Sequence, residues 1–451
     1  MPAYLDRLSG FVCETRLEDL EPSTVYAAKA VVLDTLGAIL AGSRLPENEK
    51  LAQLAAKTGG QGPATLLGQP GSAPPVFAAL SNATAGVALE MDEGNRLGGG
   101  HAAIHVIPAA LAIAEERGAS GKEFLESVIA GYEVTSRIGT GTAVKKTVHS
   151  HGTWGTIGSA VATAKLMGFD QAQTTGAINL AASMSPANTW TPCLEGATIR
   201  NLYPGRSGFQ GIMAAQLTVC GFTGLEDGPS DIYNNLLGES FNAEAVVQGL
   251  GVPGAYRIQR NYFKLHACCL YNHPVLDGVQ TLLGRERFGA EDVERIKVET
   301  PAIATTMIDP EPANMLAAKF SLPYAVATAV VHNITGITAF YPEKLHDPET
   351  LALARRVDIV ADPEMDLRRY DYPAAKVAIS LKDGRTLTEE VTAHHGDAQN
   401  PASRDELVGK FNFLVQDILG EGEAARVVET VGYLDSLGNI RELTRLLTRG
   451  G

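Results

Sequence analysis

The chain has 451 residues, 45% of them hydrophobic and 20% charged, the balance of a globular protein of about two or three domains. A formal net charge of −14 argues against nucleic acid or an acidic membrane as partner, though not against a small anion held by a local field of opposite sign. The start (MPAYLDRLSGFVCETRLEDLE) lacks the basic and apolar regions of a secretory signal, and no stretch approaches about 18 uninterrupted apolar residues. Five cysteines without CxxC spacing predict a reduced, cytoplasmic protein with no structural zinc or iron–sulfur centre.

Residues 17–42 read as a helix entered at Pro22-Ser23-Thr24 and stopped at Gly42, with apolar residues at three- and four-residue spacing. Further helices are predicted at 73–89, 107–117, 121–139, 156–166, 170–184 and 207–220. Alanine, glycine and serine dominate them, and such small residues let helices approach closely. The texture changes after about residue 270. Arg295–Thr300, Val357–Val360 and Val377–Thr388 alternate apolar and polar residues, and Asp383-Gly384 is a hairpin signal. Helices at His273–Leu283 and Pro323–His332 lie between these strands, and the tail 403–448 returns to amphipathic helix. The pattern predicts a mainly α fold: a large all-helical domain, 1–268 plus 395–451, and a smaller α+β domain, 269–394.

The stretch LEMDEGNRLGGGHAAIHVIPAALAIAEE (89–116) organises the rest. Asp92 and Glu93 open a run containing Gly94 and Gly98-Gly99-Gly100, and His101 and His105 follow. Glycines let backbone approach a ligand, and carboxylates and imidazoles move protons near neutral pH. His149 and His151 form an H-x-H that could hold a metal but has no third ligand close in sequence. Arg200 and Arg206 flank a Tyr-Pro-Gly turn and can grip carboxylates in bidentate fashion. Cys268 and Cys269 read as small wall residues, and the Tyr324 phenol as a possible proton donor. No phosphate-binding loop and no GxSxG elbow is present, so no nucleotide cofactor is predicted. These residues lead to acid–base chemistry on a small anionic substrate and no further.

The stretches MDEGNRLGGGHAAIHVIPAALAIAEERGASGKEFLESVIAGYEV, HSHGTWGTIGSAVATAKLMG, RNLYPGRSGFQGIMAAQLTVCGFTG, KLHACCLYNHPVLDG and AAKFSLPYAVATAV together resemble the MmgE/PrpD family. That resemblance implies a helical domain with a smaller α/β lid, a homodimer, and catalysis on a small polycarboxylate without cofactor or metal. Residue by residue it implies catalytic roles for Asp92, as the first acid of a D-F-D-D motif, and for His101, His149 and Tyr324. Arg96, Arg200, Arg206, His151 and His273 are then substrate-binding. Two departures stand out: Gly94 and Asn95 replace a second acidic pair, and Arg200 replaces a lysine. The implied activity is a lyase of the dehydratase type, with an epimerase of a substituted succinate such as iminodisuccinate, or a non-catalytic carboxylate binder, as alternatives.

Overall fold

The computed structural model describes residues 2–368 and 374–448. Helices Pro22–Gly42, Pro75–Val87, Ala102–Arg117, Gly121–Gly141, Gly155–Leu166, Gln171–Ser183 and Leu202–Val219 pack on one another as the small-residue pattern predicts. The reason is visible at the crossings. A Cβ on Gly42 would overlap the Ala85 carbonyl oxygen, and one on Gly158 would overlap Thr135 Oγ1. Ser120 with Glu123, and Asp170 with Gln173, close capping boxes that fix two of the helix starts. Pro22–Gly42 is long and apolar enough to cross a membrane, but 72% of its apolar window is buried against protein, as a core helix requires.

Two starts differ from the sequence reading. The helix after the glycine run begins at Ala102, not at Ile107, so Pro108 sits inside it and His105 lies on its first turns. The Tyr-Pro-Gly segment is not a turn: Pro204 occupies the opening turn of Leu202–Val219, where its missing N–H has no helical partner to lose. The helical part also carries two short antiparallel pairs, Ala64–Thr65 with Ser72–Ala73 and Thr142–Val144 with Gly238–Phe241. It is therefore not strictly all-helical.

The second part holds a four-stranded sheet in the order Val357–Ala361, Val293–Thr300, Ala375–Leu381, Thr386–Val391. The first pair is parallel and the others antiparallel, with Gly384 at φ +93° in the predicted hairpin turn. Helix His273–Arg285 covers the last two strands and meets Leu322–His332. Arg404–Val415 then returns to Pro22–Gly42, where Lys410 Nζ reaches Asp34 Oδ1 at 2.6 Å and the Met91 carbonyl at 2.8 Å. One apolar core runs from Val31 and Ile104 through Val275 to Ile296.

Candidate active site

Two concavities stand out. A groove of about 740 Å³ between Pro22–Gly42 and the C-terminal helices is walled by leucine and valine and contains no histidine. A cavity of about 590 Å³ at the junction of the helical and strand-bearing parts collects Glu90, Arg96, His101, His149, Arg200 and Lys264. Chemistry belongs to the second.

The segment Glu90–Glu93, between the end of Pro75–Val87 and the glycine run, lends Glu90 to the cavity wall. All three of its carboxylates are buried. Glu90 adopts φ +53°, one of two non-glycine residues with positive φ among the described residues, a conformation that costs roughly 1–3 kcal/mol. Its carboxylate lies between the Arg200 guanidinium and Lys264 Nζ, 2.7 Å from the latter. Burial alone would push the Glu90 carboxyl up, but Arg200 and Lys264 hold it below the usual range. Lys264 Nζ also stands 3.5 Å from Asp92 Oδ1, and the Phe320 ring lies 5.2 Å from the Arg200 guanidinium carbon. The two acids in turn keep the buried Lys264 ammonium charged, against the pull of desolvation.

His101 precedes the first residue of helix Ala102–Arg117. Its Nδ1 lies 2.8 Å from the Glu93 carbonyl oxygen and 3.0 Å from Asp92 Oδ2. A carbonyl can only accept, so Nδ1 carries a hydrogen, which leaves Nε2 as the ring nitrogen that can exchange a proton. Asp92 is held well below the carboxylate range: burial opposes ionisation, but Lys264 and His101 outweigh it. Glu93 behaves differently. Buried without a cation, it is pushed up to about 8 and accepts the Tyr132 hydroxyl.

His149 is bonded in the opposite sense. Its Nδ1 accepts the His151 backbone N–H at 3.0 Å, which leaves the hydrogen on Nε2. That nitrogen has no partner among the described residues, and Trp190 stacks on the ring at 4.0 Å between centroids. His105 is fully used: Nδ1 donates to the His101 carbonyl at 2.6 Å and Nε2 accepts the Gly152 N–H at 2.9 Å. The N–H of Gly152, before helix Gly155–Leu166, is thus committed to an imidazole, not free for a carboxylate. Burial pushes His105 down to about 4 and drives His149 and His151 well below the imidazole range, so all three are neutral. His151 packs edge-to-face on His101 and His105, behind the cavity wall.

The remaining candidates separate. Arg96 reaches the cavity wall but is tied to Asp397, its Nε 2.8 Å from Oδ2. Arg206 is half-buried on Leu202–Val219 and outside the cavity wall. Tyr324 is fully buried in the core: its hydroxyl donates to the Ala339 carbonyl at 3.1 Å, and burial pushes it up to about 12. His273 lies in a second buried group, edge-to-face with His266 and His394. Tyr324, Arg206 and His273 are therefore not brought to Asp92 and His101; packing in the lid core and along one helix directs them elsewhere. Cys269 does line the cavity, as a wall thiol pushed up to about 11 by burial.

Three residues that sequence reasoning passed over belong here: Glu90, Lys264 and Tyr262. The first was legible, because Glu90-Met91-Asp92-Glu93 itself has the acid–apolar–acid–acid form, two residues ahead of the register read from Asp92. In that register the missing pair at Gly94 and Asn95 needs no explanation. Gly94 is small because a Cβ would strike the Tyr262 hydroxyl, and Asn95 Nδ2 holds the Arg257 carbonyl at 2.7 Å. Lys264 supplies the ammonium whose loss Arg200 suggested.

Asp92, His101 and His151 place three donor atoms within 4.8 Å of one another. The Lys264 ammonium, 3.5 Å from Asp92 Oδ1, already supplies a cation to this group.

The MmgE/PrpD N-terminal domain pattern matches residues 6–236 and the C-terminal domain pattern matches residues 266–435. Among curated proteins, cis-aconitate decarboxylase of Aspergillus terreus is 24% identical over 95% of this chain and 93% of its own length. The Homo sapiens enzyme of the same name is 25% identical over 95% and 91%. Cis-aconitate decarboxylase-like protein oryM of Aspergillus oryzae is 22% identical over 98% and 96%. Both family patterns, in order and on the two parts that meet at this cavity, place the chain in the MmgE/PrpD family.

Proposed function

We propose that the chain is a cofactor-independent lyase of the dehydratase type, acting on a small di- or tricarboxylate by proton abstraction α to a carboxylate. The observation that carries this reading is the held His101 ring, with Asp92 and the Glu93 carbonyl on Nδ1, which leaves Nε2 to exchange a proton. Arg200 and Lys264 bind a substrate carboxylate. His101 Nε2 takes the α-proton, and Asp92 stabilises the imidazolium so formed. The electron pair moves onto the carboxylate as an enediolate, which the two cations stabilise where the charge develops. It then returns to form the alkene as hydroxide leaves the β-carbon and takes from the His101 imidazolium the proton abstracted earlier, with the His149 Nε2–H hydrogen-bonding the departing oxygen, so water departs and His101 is neutral again.

The lyase is favoured over a two-base epimerase by what else borders the cavity. Tyr262 and Cys269 are both held protonated by burial, so neither is a second base. The relatives' names support a lyase and a carboxylate substrate at this site. Proton NMR in deuterium oxide with citrate, 2-methylcitrate, cis-aconitate and iminodisuccinate tests the proposal. An alkene, or its hydration product, is expected. Deuterium exchange at a Cα–H without any new alkene overturns the lyase and puts the epimerase in its place.

A further inference from the structure

The charged groups occupy only part of the cavity. Both of the chain's tryptophans, Trp154 and Trp190, line it, and Leu270, Tyr271, Ile303 and Phe320 continue the apolar surface from the second part. A volume of about 590 Å³ is in the range that receives drug-sized ligands, well beyond the needs of a compact polycarboxylate. Of the cations in its wall, Arg200 and Lys264 are faced by Glu90 and Asp92, while Lys145 and Lys146 stand on another stretch of the wall. Trp190 stacks on His149, so the aromatic wall begins beside a group that meets the reacting atoms.

From these observations we infer that the substrate carries an apolar substituent of about benzyl size on its dicarboxylate frame. The inference rests on the carboxylate-binding reading above and specifies its substrate. Aromatic side chains give large apolar contact at small entropy cost, and Trp190 lines the same cavity as Arg200 and Lys264.

Isothermal titration of the full chain with benzylsuccinate and with methylsuccinate tests it without knowledge of the reaction. Benzylsuccinate is expected to bind at least about 10-fold more tightly, with a more negative heat-capacity change. Trp190→Ala and, separately, Ile303→Ser should each lower the ratio of the two dissociation constants. Because the ratio compares two ligands on one protein, partial misfolding of a variant does not move it. Equal affinities for the two acids overturn the apolar substituent and leave the carboxylate site standing. Failure of both acids to bind overturns the carboxylate site itself.

Discussion

In the proposed mechanism His101 is a base and Asp92 the group that orients it, whereas Glu90 has a structural part. His101→Asn removes the Nε2 lone pair, and kcat should fall by roughly 10²–10⁴-fold with an unchanged circular dichroism spectrum. A near-normal rate would remove His101 from catalysis. Glu90→Gln acts on stability instead. It leaves two buried cations facing one carboxylate, and breaking such a buried arrangement costs about 3–5 kcal/mol. The urea midpoint should drop accordingly, and an unshifted midpoint would show that Glu90 is not what balances Arg200 and Lys264. Most of this was legible as residue types: His101, His149 and Arg200 line one cavity, and Asp92 lies against His101. Tyr324 was not, because a phenol in a buried helix and a phenol at a cavity have the same local sequence. Which one applies depends on where the Ala339 carbonyl lies, fifteen residues on.

Among the elements, the sequence pattern located most long helices and all four strands of the larger sheet, and it missed Ala3–Glu14 and Pro46–Gly59. It erred where one residue carries two meanings. Pro108 looked like a helix start and is an interior residue; Pro204 looked like a turn and opens a helix. Neither pattern can report that the helix N-terminus reaches back to His101, which sets the imidazole above the acid segment. The close crossings give a sharper expectation. Gly158→Ala drives a methyl into Thr135 Oγ1, where helices Gly121–Gly141 and Gly155–Leu166 cross. Overpacking of that kind costs about 1–3 kcal/mol, measurable as a lower denaturation midpoint.

For the whole molecule, the buried neutral histidines set the acid limit of stability. His105 is held down to about 4 and His394 to about 3, with His149, His151 and His273 also depressed, while the unfolded chain protonates near pH 6.5. Between those values the unfolded state binds more protons, so stability is full above about pH 6.5 and falls as pH drops towards 4 and below. Glu93 has the opposite sign: raised to about 8, it contributes stability below its unfolded value near 4.5 that is lost as pH rises through 8. Asp34, Glu115 and Glu133 are raised by burial as well, so the urea midpoint should fall on the acid side through the five imidazoles and on the alkaline side through these four carboxyls. His394→Leu should flatten the acid arm.

The acid segment is anchored from three distant places. Lys319 Nζ donates to the Ala88 carbonyl at 2.9 Å, Tyr132 to Glu93, and Lys410, from the C-terminal helices, to the Met91 carbonyl. Lys410→Met should therefore lower kcat, although its side chain lies outside the cavity wall. Because residues 319 and 410 must both be docked before Asp92 is in place, turnover reports completed assembly. A newly synthesised chain would gain activity only at its last folding step, and one clipped before residue 404 would be silent even with every catalytic side chain present.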